Sequence, residues 1–347
     1  MSAGALMAGE IAEQPRVITG LLGRGAAIGA AVDAVRPPVL RGFVLVARGS
    51  SDHAAIYGRY VLEHATGCPV ALAAPSLHTR YGVVPELDGF LAVGVSQSGR
   101  TPEVAATMQI LRAGGARTVA ICNDETSPLA EVGDVVVQLG AGEERAVPAT
   151  KTFTAQLAAF ALIAQTLART GWAPPPWGPV LDALAAVVAD DSDARTAADR
   201  LSAAERLVQV GRAFLYPVAL EAGLKISETT GLVATGYSPH DLLHGPIAAA
   251  SAGVHALCFS SPGPVAADVA AAAAALTARG AGVVAIAEHR EDVPGAGAFI
   301  GVPAGTDELL APIVYAVRAQ QLALHLAVAR GVDPDRPFGL TKVTRTA

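Results

Sequence analysis

The 347-residue chain is poor in aromatics (5%), in charge (16%) and in cysteine, of which it has three. Cys68, Cys122 and Cys258 are far apart and form neither a CxxC nor a Cys/His spacing, which argues against a disulfide framework or a zinc site. Net charge is −6, so nothing reads as an electrostatic footprint for nucleic acid. A mild negative total still permits an anionic substrate, because local backbone N–H groups can hold a phosphate. No apolar run reaches about 18 residues without a charge or a turn former, so no membrane span is expected. The start, MSAGALMAGEIAEQPRV, lacks a basic region followed by an apolar core, so no signal peptide is expected and a reducing cytoplasm is the expected location.

What is present is alanine-rich and 52% apolar, the composition of a globular protein with closely packed helices. At roughly 150 residues per domain the length suggests two domains. Residues 1–36 read as a helical lead-in ending at RPP. GFVLVARGSSDHAAIYGRYVLEHA then reads as a buried strand (43–47), a Gly/Ser turn and a helix. GFLAVGVSQSGRTPEVAATMQILRAGG repeats the scheme, with a strand over 90–95 and a helix from about Pro102. ARTVAICND and GDVVVQLGAG add short apolar strands, and ATKTFTAQLAAFALIAQTLA is a long helix. Short apolar strands alternating with helices predict an α/β fold with a parallel sheet covered on both faces. GWAPPPWGPV is the clearest punctuation, and an Ala/Asp-rich helical stretch follows it. The scheme restarts at RLVQVGRAFLYPVALEAGLKISE, where Gly211 stands 162 residues after Gly49, and VHALCFSS and AGVVAIAE supply further strands. The chain therefore reads as one α/β unit duplicated.

The turn SQSGRTPE follows a strand and opens a helix. Its hydroxyls, its amide and Gly99 stand where a helix N-terminus presents unpaired N–H groups, which makes an anion cradle. An ordinary N-cap uses one such hydroxyl, and this turn has more than a cap needs. ARGSSDHAA occupies the equivalent turn of the first unit, but Gly49 is followed by Ser50, Ser51, Asp52 and His53, so the dinucleotide spacing GxGxxG is missing. In open α/β sheets ligands gather at the carboxyl ends of the strands, a rule that brings Ser50, Ser51 and residues 96–101 together. His53 reads either as ligand-facing or as a surface histidine, and Thr150 and Thr152 of AVPATKTF read as helix-capping residues. SPHDLLHGPIA carries His240 and His244 four apart, without the intervening general-base glutamate of a zinc motif. A histidine stopped by Gly-Pro can move protons near neutral pH or can be purely structural. EAGLKISE places Glu221, Lys225 and Glu228 within about 60° on a helix, either as a solvated ladder or as acid–base chemistry.

Taken together, EIAEQPRVI, RGSSDHA, SQSGRTPE, AICND, GEERAVPATKTFTAQL, GRAFLYPVALEAGLKISET, LLHGP and GLTKVT resemble, in order and spacing, the sugar isomerase (SIS) family. The likeness is nearest to the isomerase half of glucosamine-6-phosphate synthase and to stand-alone deaminases of the same family. It implies two tandem SIS domains, each a flavodoxin-like parallel sheet flanked by helices: residues 37–170 and 206–330, with a linker over 171–205 and a tail over 331–347 that closes the active site. It implies that Ser96, Gln97, Ser98, Gly99 and Thr101 bind the sugar phosphate, that Ser50 and Ser51 flank the sugar, and that Val147 and Ala149 touch it. Relatives carry Ser where this chain has Ala149, and an acidic residue stands in the synthase where this chain has Arg100. By the same resemblance Glu228 moves a proton between C1 and C2, Lys225 is its catalytic neighbour, His244 assists ring opening from a second subunit, and Lys342 forms an imine with the ketose.

The implied reaction is deamination of a hexosamine 6-phosphate such as glucosamine 6-phosphate to fructose 6-phosphate and ammonia, by a homodimer, without metal or organic cofactor. The isomerase-like unit begins within the first 40 residues, so no glutamine-hydrolysing domain is expected. A glutamine-independent amination, a fructosamine-phosphate deglycase and a non-catalytic sugar-phosphate sensor are the alternatives. The last is disfavoured because Glu228, His244 and Lys342 are all retained.

Overall fold

The computed structural model describes residues 2–342, which fall into two compact units. The first comprises Arg16–Glu144 and Lys151–Pro174, and the second comprises the residues up to Pro15, Arg145–Thr150 and Pro175–Lys342. Three helices open the chain: α1 (Ala5–Ala12), α2 (Gln14–Gly23) and α3 (Gly25–Ala34). Then follow β1 (Gly42–Val46), α4 (Ser50–Thr66), β2 (Val70–Leu72), α5 (Pro75–Thr79), β3 (Phe90–Ser96), α6 (Pro102–Ala113), β4 (Arg117–Cys122), α7 (Pro128–Val132), β5 (Val135–Gln138) and α8 (Lys151–Leu167). The remainder runs α9 (Gly178–Ala189), α10 (Ser192–Leu201), β6 (Arg206–Val210), α11 (Tyr216–Thr230), β7 (Ala234–Tyr237), α12 (Pro239–Leu243), β8 (Val254–Phe259), α13 (Ala266–Ala278), β9 (Gly282–Ala287), β10 (Ala298–Gly301) and α14 (Ala311–Ala329).

All pairings are parallel, and the strands order β2-β1-β3-β4-β5 in one sheet and β10-β9-β8-β6-β7 in the other. Numbered within its own unit, each sheet reads 2-1-3-4-5, the flavodoxin-like order. The expected α/β class, with two such sheets flanked by helices, is what the chain adopts. The central strands explain why. GFVLV of β1 is buried along its whole length, and β3 is buried from Leu91 onward. Continuous apolar runs of this kind suit strands covered on both faces. In the first unit α8 is buried almost all round and packs on α4, where Phe160 occupies the space a side chain at Gly58 would need. In the second, α14 is the equivalent buried helix and lies against α11.

The strands that sequence patterning passes over are β2, β7 and β10. Each is three or four residues long and each is a sheet edge. These three are too short and half-solvated for an apolar run or an alternation to mark them, whereas the fourth edge, β5, shows a run of three valines. The helical lead-in consists of three helices, α1 to α3. Cys122, at the end of β4, and Cys258, in the central strand β8, are buried, and burial pushes the Cys258 thiol up to about 12. No helix among the described residues is long and apolar enough on its own to cross a membrane.

Candidate active site

In the first unit the polar turns lie where the strand order reverses, at the carboxyl ends of β1 and β3. Residues 96–101 form a tight turn. Gly99 N donates to Ser96 Oγ (3.2 Å), Ser96 Oγ lies 3.2 Å from Thr101 Oγ1, and Arg100 N donates to Ser98 Oγ (3.2 Å). Gly99 has φ +65°, and a Cβ there would collide with Ser127, so only glycine fits. Thr101 is the N-cap residue of α6, but its side chain makes no capping bond. The hydroxyls shape the turn and leave the first N–H groups of α6 for another acceptor. The turn is tied to its neighbour by Asn123 N donating to the Gln97 carbonyl (3.1 Å) and Leu129 N donating to the Gly99 carbonyl (3.1 Å).

Two ion pairs bracket this turn. Arg48, just after β1, holds Glu103 in the first turn of α6 at 2.9 Å, and Arg100 holds Asp124 at 2.7 Å. Ser50 and Ser51 begin α4, next to Gly49 at φ +59°. Ser51 is buried, and its Oγ is 3.0 Å from Gln156 Nε2 of α8, which donates to it. Burial raises the pKa of Asp52 on the same turn, although His53 and Arg48 pull it the other way.

The second unit carries the charged stripe on α11. Pro217 fits the first turn, where a missing N–H costs nothing, and Gly231 ends the helix at φ +73°. Glu221 and Lys225 are 1% and 0% exposed, while the Glu228 side chain is 23% exposed. Lys225 Nζ donates to Glu228 Oε2 and lies 3.5 Å from Glu221 Oε1. A solvated ladder would expose all three, so that alternative is removed. The lysine stands in the interior facing two carboxylates, of which only Glu228 reaches solvent.

His244 is exposed, one residue beyond α12. Its neighbours in the motif are otherwise engaged: Ser238 caps α12 and donates to Asp241 (2.7 Å), and His240 lies 3.7 Å from Asp268. Val147 and Ala149 are half-buried in the segment Arg145–Thr150, and Lys342 is half-buried at the end of the described tail. The geometry therefore clusters Lys225 with Glu228 and Glu221, and Ser96 with Gly99 and Thr101. His244, Lys342 and the 147–149 segment belong to the second unit, as the α11 triad does. Among the described residues no three His, Cys, Asp or Glu side chains converge as a metal site.

Sequence reading missed Gln156 and the Arg48–Glu103 pair. The pair could have been found from the duplication, because the second unit repeats it as Arg212–Asp268 (3.3 Å) at nearly the same separation in sequence.

A family model described as SIS domain matches residues 41–165 and 200–330. The glutamine–fructose-6-phosphate aminotransferase (isomerizing) of Methanothermobacter thermautotrophicus is 33% identical over 308 residues, which are 86% of this chain and 50% of that protein. The chain thus spans about half the length of the curated relatives it matches. A solved structure from Silicibacter pomeroyi, provisionally described as a phosphosugar isomerase, is 32% identical with a TM-score of 0.84, covering 95% of this chain and 99% of that one. The C-terminal domain of glucosamine-fructose-6-phosphate aminotransferase from Francisella tularensis shares the fold at 23% identity, with a TM-score of 0.83 over 96% of this chain and 98% of that domain. With both sheets matched by one family model, the chain belongs to the SIS domain family.

Proposed function

We propose that the chain is a phosphosugar aldose–ketose isomerase of the SIS type, and that its reaction is deamination of a hexosamine 6-phosphate. The observation that carries the reading is the α11 triad: a solvent-reaching carboxylate, Glu228, bonded to the buried ammonium of Lys225. Aldose–ketose conversion needs one group that removes a proton from C2 and returns it to C1. A carboxylate with one oxygen held by lysine and the other open to substrate has the geometry for that transfer. Lys225 offsets the negative charge that develops on the enediol, and Glu221, 3.5 Å from the lysine, is its second opposite charge in the interior.

The phosphate is taken by Ser96, Gln97, Ser98 and Thr101 and by the N–H groups at the start of α6, with Gly99 making the close approach possible. Ser50 and Ser51 flank the sugar. Val147 and Ala149 touch it, and with Ala149 the contact is made without a side-chain hydroxyl. Lys342 exchanges imines with the ketose. Protonation at C1 turns the amino-aldose into a ketose imine. Water then adds to the imine carbon, the C–N bond breaks, and ammonia and fructose 6-phosphate leave.

His244, exposed beyond α12, is assigned to ring opening in the site of a second copy, so the working assembly is a cytoplasmic homodimer. The test of the reaction is ammonia release from a panel of hexosamine 6-phosphates, with glutamine plus fructose 6-phosphate as control. Release from glucosamine 6-phosphate is the expected result. Release solely from a fructosyl-amine phosphate would replace deaminase by deglycase, and silence on the whole panel would remove the deamination reading.

A further inference from the structure

EIAEQP, at the start of the chain, has no role in the chemistry above. It nevertheless supplies two buried polar side chains, Glu10 (5% exposed) and Gln14 (0%). The Glu10 carboxylate accepts from the backbone N–H of Arg145 and from that of Ala146 (3.2 and 3.3 Å to its two oxygens). Gln14 Nε2 donates to Gln320 Oε1 (2.8 Å), and Gln320 Nε2 donates to the Thr150 carbonyl (3.2 Å). The segment Arg145–Thr150 is therefore gripped at both ends from one short stretch of sequence. Between the two grips lie Val147 and Ala149.

The other end of α1 holds a second element of the same unit. Asp333 accepts from Gly4 N (3.0 Å), and Asp335 accepts from Leu6 N (2.8 Å) and Met7 N (2.9 Å). These are the N–H groups that a helix leaves unpaired at its start, and two carboxylates there also meet the positive end of its dipole. Leu324 and Pro334 fill the space beside Gly4 that a side chain would need, so the tail is pressed onto the helix as well as bonded to it. Seven residues after Asp335 comes Lys342.

We propose that α1, with the Gln14 that opens α2, is a positioning element for the active site: Glu10 and Gln14 set the sugar-contact segment 145–150, Asp335 sets the tail that carries Lys342, and α1 ties the two together. None of the three residues touches substrate. Each fixes backbone that carries a residue which does. The proposal rests on the reading of 147–149 and Lys342 given above. It predicts that ordering by the sugar spreads through α1, whereas binding of phosphate alone at the 96–101 turn does not require it.

The test compares two ligands, fructose 6-phosphate and inorganic phosphate, by calorimetry on wild type and on Glu10→Gln. The amide can accept only with its oxygen and sets an NH2 against a backbone donor. Loss of one charge-assisted hydrogen bond corresponds to roughly a tenfold effect or more. Affinity for fructose 6-phosphate and 1/KM should therefore fall at least about tenfold, with inorganic phosphate affinity and kcat within about threefold of wild type. Equal affinity of both proteins for fructose 6-phosphate overturns the proposal, and so does a parallel loss of both ligands. Hydrogen exchange on wild type provides a measurement that does not depend on the variant's folding. Saturating fructose 6-phosphate should slow exchange in residues 5–12 and 333–340 together with 145–150, and slowing confined to 145–150 overturns the tie. If wild type binds no hexose 6-phosphate at all, it is the functional reading that fails first. If wild type binds and the variant binds equally, the role of Glu10 fails alone.

Discussion

The two sheets share one strand order, and the turns at their reversal points have diverged within a common frame. After the first strand of each unit comes an arginine, Arg48 or Arg212. Each reaches a carboxylate in the first turn of the helix after the third strand, Glu103 or Asp268. The next residue has a positive φ in both, Gly49 at +59° and Ala213 at +49°. The equivalence by strand ends is thus Gly49 with Ala213, not with Gly211 as glycine spacing alone suggests. The turns after the third strands then part company. SQSGRT leaves the start of α6 uncapped by side chains. SSPGPV, after β8, has prolines at 262 and 264, which lack N–H groups, and the Glu308 carboxylate lies against Gly263. One turn leaves the start of its helix without a side-chain cap, and the other has a carboxylate lying against it. Topology marks where a ligand can sit, and the turn residues decide whether one does.

The strongest way to break the proposed division of roles is to change the proposed base and measure phosphate binding. Glu228→Gln keeps the shape of α11 and the partner of Lys225. Turnover should fall by about 10²–10⁴, the usual worth of a general base. Inorganic phosphate should still bind as in wild type. Residual turnover above a tenth of wild type would take Glu228 out of the role. Gly99→Ala makes the reciprocal cut. Its positive φ and the Ser127 contact should cost about 1–3 kcal/mol of stability and weaken phosphate binding at least tenfold. A variant that melts and binds phosphate like wild type would show the 96–101 turn to be irrelevant.

Ala213→Gly addresses the frame that both units share. A left-handed alanine costs about 1–2 kcal/mol, and glycine returns part of that gain through the freedom of its unfolded chain. The net expectation is about 0.5–1 kcal/mol of added stability in denaturant unfolding, with no change in KM. Destabilisation would mean that the alanine methyl group is a required contact.

How much of this was readable beforehand follows the same physics. Strands β1, β3, β4, β8 and β9 were legible because both faces are buried and the apolar run is unbroken. The edges β2, β7 and β10 were not, because a half-solvated strand of three or four residues shows itself only when it carries a run such as the VVV of edge β5. The stripe Glu221–Lys225–Glu228 was legible as a helical period, but its burial was not, since lysine and glutamate ordinarily lie at the surface. Pairs such as Arg48–Glu103 and Glu10–Ala146 join residues 55 and 136 positions apart, a separation across which local patterning says nothing.

The smallest expected effect is also the one that separates two explanations for the silent turn of the second unit. Either Glu308 alone keeps an anion out, or the turn lacks the donors to hold one. Glu308→Ala removes the carboxylate and leaves Pro262 and Pro264 in place. If the donors decide, phosphate stoichiometry stays at one per chain and turnover stays within about twofold of wild type. If a second phosphate appears in calorimetry, occupancy by Glu308 is the whole difference between the turns. The second unit would then retain a latent anion site despite its prolines. We expect the first outcome, because the N–H groups missing at residues 262 and 264 cannot be supplied by deleting a side chain elsewhere.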